Sequence, residues 1–427
     1  MVNLKSIIKK LAQTGFGHIF GSSVINQMIG LLSGIILIRV LSKSDYGIYS
    51  YTNNILSLIL LVSGIGMISG ILQICSEEFK NPKKALAIFK YGAKFGIIFN
   101  VLLSLAIVAI AVYIPLPIEG ANKLLLVMSM LPVAMIIYQF IQVYYRYNML
   151  NKAYSFFTTI NTIVLFIFSV IGALIAQAEG MVLFSFIGYI ISIFVGIILF
   201  KFPFRELKNI GKVTIQEKKD LLKISSISMA NNGTAYLILV LDIFIIGLLI
   251  HDQSIIATYK VATIIPSALL FIPGALMIYL YPYFASHNND KEWVKRNFNL
   301  IIQYFGLFNF ILTVVLIIFA PVIITIIFGT QYLDAVGPFR ILIASYFFSA
   351  TFRKIVGNIL VTQRKLKFNL WLGILETIMN VVGNFILISH FGVLGAAINS
   401  LIVVIISSVI GVWYFLSVVK SKLNHSY

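Results

Sequence analysis

Among the ionisable side chains inside or at the ends of long apolar runs, six could do chemistry: Arg39, Asp242, Lys260, Arg340, Arg353 and Glu376. An ionisable group within a hydrocarbon-spanning segment is costly, so it faces protein or a water-filled path. Four of the six are cationic, and a cavity lined by them would attract an anion such as a phosphate or pyrophosphate. The two carboxylates suit a different task. Asp242 lies about two turns from the nearest loop and is too short to reach it, so it is placed to titrate or to bind a cation. Glu376 makes a similar case, with an ion pair to a neighbouring Arg or Lys as its structural alternative.

The cations have structural alternatives too. Arg39 and Lys43 can snorkel to headgroups, with Asp45 closing a local ion pair, and Lys260 is only about one or two turns from the start of its segment. Arg353 and Lys354 precede the basic cluster at Arg364 and could anchor that face. Asn26, Gln27, Asn231 and Asn232 could hydrogen-bond sugars or tie helices together. Pro132, Pro266, Pro273 and Pro321 fall within or beside apolar runs, where proline kinks a helix.

The elements that carry these residues are membrane helices. Of 427 residues, 60% are hydrophobic and 11% charged, against about 25% charged in soluble domains. Runs near or above the roughly 20 residues needed to cross the hydrocarbon core recur along the chain, without the alternation of barrel strands. The pattern predicts an all-α polytopic membrane protein of about 12 spans, at 14–40, 46–73, 91–114, 123–145, 154–177, 180–201, 224–250, 255–284, 298–328, 333–362, 369–390 and 393–418. No sizeable soluble domain is expected. The first run reads as a true helix, too long for a signal-peptide core and lacking a small-residue cleavage site. Residues 3–11, NLKSIIKKL, form an expected basic amphipathic helix on the membrane surface.

Positive loops are retained in the cytoplasm. With the N-terminus inside, 27 of the 32 basic residues fall on one side, leaving Arg39, Lys43, Lys123, Lys260 and Arg340 on the other. Both termini are then cytoplasmic. The net charge of +18 is a topology signal, and no nucleic-acid partner is implied. Cys75 is the single cysteine, so no internal disulfide forms. No Cys/His cluster suggests a metal, and no cofactor is expected.

The longest polar connection, a cytoplasmic basic linker at 201–223, divides the chain into an N-terminal six-helix bundle (1–200) and a C-terminal one (224–427). Internal similarity supports the division. At an offset of 210, Tyr49, Gly64, Met67 and Ile68 fall on Tyr259, Gly274, Met277 and Ile278. At an offset of 215, Gly180, Ser185, Ser192, Gly196 and Phe200 fall on Gly395, Ser400, Ser407, Gly411 and Phe415. Halves with an even number of spans share one orientation, as in parallel repeats, and substrate is then expected in a cavity between them.

RVLSKSDYGIYS after the first span resembles the R-x-L-x-x-x-[DE]-[YF]-G-x-[YF] signature of polysaccharide flippases in the multidrug/oligosaccharidyl-lipid/polysaccharide (MOP) exporter superfamily. IATYKVA, YLYPYFAS, IFGTQYLDAVGPFRIL and NVVGNFILISHFGVLGAAIN echo the same family in its order, and the resemblance covers nearly the whole chain. Its nearest form is a Wzx-type flippase of O-antigen or capsule units. The resemblance implies a V-shaped pair of bundles that moves undecaprenyl-pyrophosphate-linked glycan to the outer leaflet of the bacterial inner membrane by alternating access. It implies membrane lipids as surroundings, and a polysaccharide polymerase and chain-length regulator as partners. It makes Arg39 and Lys260 the lumen cations, with Arg340 after the FG-x-x-[YF] turn and Arg353 joining them. Asp242 and Glu376 remain ion-coupling candidates on position alone.

Three rivals make different demands. A drug/cation antiporter of the same superfamily favours an acidic cavity, whereas the charges here are mostly basic. A lipid II flippase is expected to be longer by two helices. A membrane polymerase or glycosyltransferase needs an acidic metal-binding motif or a large polar loop, and the sequence has neither, so a non-enzyme is expected.

Overall fold

A computed structural model describes residues 16–78, 80–199, 202–203, 206–207, 210–211, 213–288 and 290–420. The amphipathic segment 3–11 lies outside the described residues, as do the side chains of Asn231 and Asn232. The described residues are helical almost throughout. Among the described residues nine helices are long and apolar enough to cross a membrane, or ten if Lys43–Leu60 and Ser63–Glu77, bent by 44°, form one span.

Two features reconcile this count with the twelve spans expected from hydropathy. Asn151–Leu199 is one continuous helical run of 49 residues, about 73 Å if straight and far more than the roughly 30 Å hydrocarbon core requires. It is not straight. Ala176 (φ −145°, ψ 39°) and Gln177 (φ 48°, ψ −135°) leave helical geometry, and the chain folds back on itself. The backbones of Gly172 and Gly180 meet so closely that a Cβ on either would lie 2.2 Å from the other's carbonyl oxygen, and Gly196 packs on Phe157 in the same antiparallel register. Small residues let helix backbones approach in this way. The second feature is Ile215–Ile250, 36 residues long. Its first turns are polar and its second half, AYLILVLDIFIIGLLI, is apolar but for Asp242, and its length suffices for a crossing.

The chain separates into two compact units, Met1–Tyr236 and Leu237–Tyr427. The division falls within the Ile215–Ile250 helix, whose start is capped where the sequence suggested only a linker. The Thr214 N–H donates to Glu217 Oε2 (2.8 Å) and the Glu217 N–H to Thr214 Oγ1 (3.3 Å), a reciprocal capping box.

In the first unit the signature after the first helix is a helix start. Ser42 caps Lys43–Leu60, its Oγ accepting from the Asp45 N–H at 3.0 Å, and the Ser42 N–H donates to Gln177 Oε1 of the helical reversal (3.1 Å). The same helix breaks before Met67, with positive φ at Gly64, Ile65 and Gly66. Broken backbone at membrane depth needs partners from within the protein. Asn100, fully buried, supplies them: Oδ1 accepts from the Gly64 N–H (2.8 Å), and Nδ2 donates to Pro132 O (2.8 Å) and Ser63 Oγ (3.0 Å). Beyond the break, Gly66 and Gly70 admit Ser225 so closely that a Cβ would lie 2.3 and 2.1 Å from its oxygens. Replacing Asn100 by Ala strands the Gly64 N–H, and such an unsatisfied buried group costs about 1–3 kcal/mol. The expected result is a folded protein with a lower thermal midpoint in detergent, measured against wild type; an unchanged midpoint would show that the break holds without it.

The second unit repeats this plan. Val40 and Ile250 end the first helices, Ser42 and Asp252 cap the second, and both second helices break, at Ser63–Gly66 and at Leu270. The reversal at Gln177 matches Gly392 (φ 58°, ψ −138°), and Gly395 meets Leu387 O as Gly180 meets Gly172 O. Asn309, fully buried, stands where Asn100 does, with Nδ2 donating to Thr351 Oγ1 (3.1 Å) and Oδ1 accepting from the Tyr346 hydroxyl (3.1 Å). Thr351 belongs to a π turn, Ser349–Arg353. In both units a buried asparagine on the third span hydrogen-bonds the fourth, at Pro132 O in the first and at the π turn in the second.

Candidate functional site

Among the described residues of the second unit, Asp242 accepts four side-chain hydrogen bonds. It sits on Ile215–Ile250, about two turns before the helix ends. Its Oδ1 accepts from Asn380 Nδ2 (2.8 Å) and Asn384 Nδ2 (2.7 Å), its Oδ2 from the Tyr259 hydroxyl (2.7 Å) and the Ser400 hydroxyl (3.0 Å). Three other helices deliver these donors. Tyr259 comes from Gln253–Leu269, Ser400 from Val393–Lys420, and Asn380 and Asn384, four residues apart and so on one face, from Leu366–Phe391.

A second layer orients the first. Asn399 donates from Nδ2 to Asn380 O (2.8 Å) and Asn384 Oδ1 (2.9 Å). Gly383 leaves it room, since a Cβ there would lie 2.0 Å from Asn399 Oδ1. Tyr259, Asn380, Asn384 and Asn399 are buried to within 3% of full. All four donors to Asp242 are neutral. They satisfy the carboxylate oxygens in place of water and supply no counter-charge.

The internal repeat argues that the fold does not require this carboxylate. Tyr49 and Ser185 are the counterparts of Tyr259 and Ser400, but Leu32 stands where Asp242 does and Leu165 where Asn380 does. The first half has hydrocarbon at both positions, with Leu32 54% exposed.

The remaining candidates are placed differently. Arg353 and Glu376 are brought together in a two-pronged pair, Nε to Oε1 at 2.5 Å and an Nη to Oε2 at 3.0 Å, with the side chains 20% and 12% exposed. Arg353 ends the π turn, and a π turn inside a helix often marks a functional position. Arg340 is exposed and donates from Nε to Ile317 O (3.1 Å), covering a carbonyl at the end of Lys291–Ile318. Arg39 is exposed in the last turn of Phe16–Val40. Lys260 is half-buried next to Tyr259, and among the described residues no carboxylate pairs with its ammonium. Asp242 and Lys260 therefore lie on one helix pair without touching. Sequence reasoning singled out Asp242 but missed its donors. An amide pair four residues apart in an apolar span, Asn380 and Asn384, was the available signal.

Residues 36–337 match the polysaccharide biosynthesis protein family. The chain belongs to that family. A search of curated protein sequences finds no match for this family member. Its fold is shared with solved transporters. An inward-facing multidrug resistance MATE family transporter of the MOP superfamily aligns with a TM-score of 0.70 at 13% identity, over 94% of this chain and 96% of that one. Lipid II flippase MurJ, in an inward closed conformation, aligns with a TM-score of 0.71 at 15% identity, over 95% and 90%. A MOP superfamily transporter from Pyrococcus furiosus gives 0.58 at 12% identity, over 96% of each. The polysaccharide biosynthesis family member is thus a multi-pass integral membrane protein with the MOP transporter fold.

Proposed function

We infer that this protein is a flippase that carries an undecaprenyl-pyrophosphate-linked oligosaccharide repeat unit, an O-antigen or capsule precursor, from the cytoplasmic to the outer leaflet of the bacterial inner membrane by alternating access. The observation that carries the reading is a polysaccharide biosynthesis family match over residues 36–337 on a chain that follows transporter folds for nearly its whole length. Arg39 and Lys260 receive the anionic head group. Arg340 and Arg353 already donate to Ile317 O and Glu376, so they contribute by changing partners during the cycle. Asp242 is the coupling group, binding a proton or a cation in one state and releasing it in the other. Glu376 serves coupling through its exchange with Arg353. A polysaccharide polymerase and a chain-length regulator act on the delivered unit.

A strain whose own flippase gene is deleted, complemented with this gene, tests the reading through its surface polysaccharide. Wild type restores polymer with at least one lipid-linked donor, and the Arg39→Ala and Lys260→Ala variants restore less at equal membrane abundance. Failure with several donors, together with acquired efflux of cationic drugs, would replace the flippase by an antiporter.

A further inference from the structure

The second unit carries an apolar groove that the coupling and head-group residues leave unused. It runs between Phe271–Ser286 and Lys291–Ile318, has a volume of about 630 Å³, and lies open along one side. Six of its eleven lining residues are aromatic: Tyr283, Phe284, Trp293, Tyr304, Phe305 and Phe308. Several contacts hold the rings in place. Trp293 is clamped edge-on by Phe284 (centroids 5.4 Å) and face-on by His287 (4.1 Å, 12° between planes), and Phe305 lies near-parallel to Phe308 at 6.1 Å. Rigid rings keep a cleft open where flexible aliphatic side chains would fill it.

The groove has a charged end. Lys291 donates to Asn288 O and to Gln363 Oε1, which sets the turn bearing Arg364, Lys365 and Lys367 beside the start of the groove's second helix. Among the described residues Lys295, Arg296, Arg364, Lys365 and Lys367 are in no ion pair. Against them stand Asp290, whose carboxylate caps Trp293 N–H, and the exposed Glu292. The charge count assigns this end to the cytoplasm. An apolar trough ending in unpaired cations complements an amphiphile with an anionic head.

We propose that this groove receives the isoprenoid chain of the polyprenyl pyrophosphate lipid while its head group is carried; the assignment rests on the flippase reading above. Bulk acyl chains solvate any apolar surface equally well, so a free lipid gains little by entering the groove. A chain tethered to a head group already held by the same protein enters at high effective concentration. Contact with fixed rings then adds dispersion attraction along its length.

Full-length protein in lipid nanodiscs, exposed to a polyprenyl pyrophosphate with a diazirine on its chain, tests the assignment by photolabelling and peptide mapping. Adducts are expected on the segment containing Tyr304 and Phe305, suppressed by unlabelled undecaprenyl pyrophosphate and not by equal phosphatidylglycerol. Leu300→Trp fills the groove and lowers adduct yield about tenfold, the effect of roughly 1.4 kcal/mol of overpacking. Val315→Trp, on the exposed face of the same helix but outside the groove, leaves the yield unchanged. Suppression by phosphatidylglycerol, or adducts confined to other helices, would overturn the assignment even if Leu300→Trp failed to fold. Complementation separates the two readings: wild type that restores polymer while adducts map elsewhere removes the groove alone, and wild type that restores none removes the flippase.

Discussion

Asp242→Asn is expected to abolish the response of transport to a cation or proton gradient while leaving a folded protein in the membrane. The substitution keeps the shape and an acceptor oxygen for Asn380 and Asn384, and the Tyr259 and Ser400 hydroxyls can turn to accept from the new amide. Only the charge is lost. Coupling free energies of about 1–3 kcal/mol correspond to about 5- to 150-fold in equilibrium, and transport driven by a gradient should fall within that range. Asp242→Leu, which installs the residue of the first half, should do something further. It leaves four donors without an acceptor, at about 1–3 kcal/mol for each that finds no substitute, so abundance should fall with it. Gradient-dependent transport by Asp242→Asn equal to wild type would remove Asp242 from coupling.

The second large effect is at Arg353 and Glu376. Removing one partner of this part-buried pair leaves an uncompensated charge, at up to about 3–5 kcal/mol, the cost for a fully buried one. Glu376→Leu should therefore lower the thermal midpoint strongly, and Arg353→Met nearly as much. Replacing both, with Arg353→Met and Glu376→Leu, should recover most of the stability, because well-packed apolar residues often replace a buried pair without loss. Thermal melts of the four proteins measure this cycle. Transport separates the roles: a double variant that is stable and inactive keeps the pair in the transport cycle, whereas one that is stable and active makes it a helix tie.

Much of the architecture was legible because hydropathy and length report membrane crossing directly. The break at Ala176 and Gln177 falls where the expected spans 154–177 and 180–201 meet, although Gln177 takes a backbone conformation that its counterpart Gly392 adopts more easily. Internal breaks were less visible. The 44° bend beyond Val62 had a local sign in Ser63, Gly64 and Gly66, but the group that satisfies its backbone, Asn100, lies on another helix. The sequence picked out Asp242 from its depth alone. Its partners Asn380, Asn384 and Ser400 lie more than a hundred residues away and enter only through tertiary packing. Glu376 and Arg353, separated by 23 residues, met as the ion-pair alternative described.

The central claim is transbilayer movement of a lipid-linked glycan, and reconstitution measures it most directly. Purified protein in proteoliposomes loaded with undecaprenyl-pyrophosphate oligosaccharide on one leaflet should expose the glycan on the other leaflet to a membrane-impermeant lectin or glycosidase, faster than empty liposomes and faster with a cation or proton gradient than without. Asp242→Asn should retain exposure at the ungraded rate. Glycan exposure no faster than in empty liposomes, across several oligosaccharides and both gradients, would contradict the account.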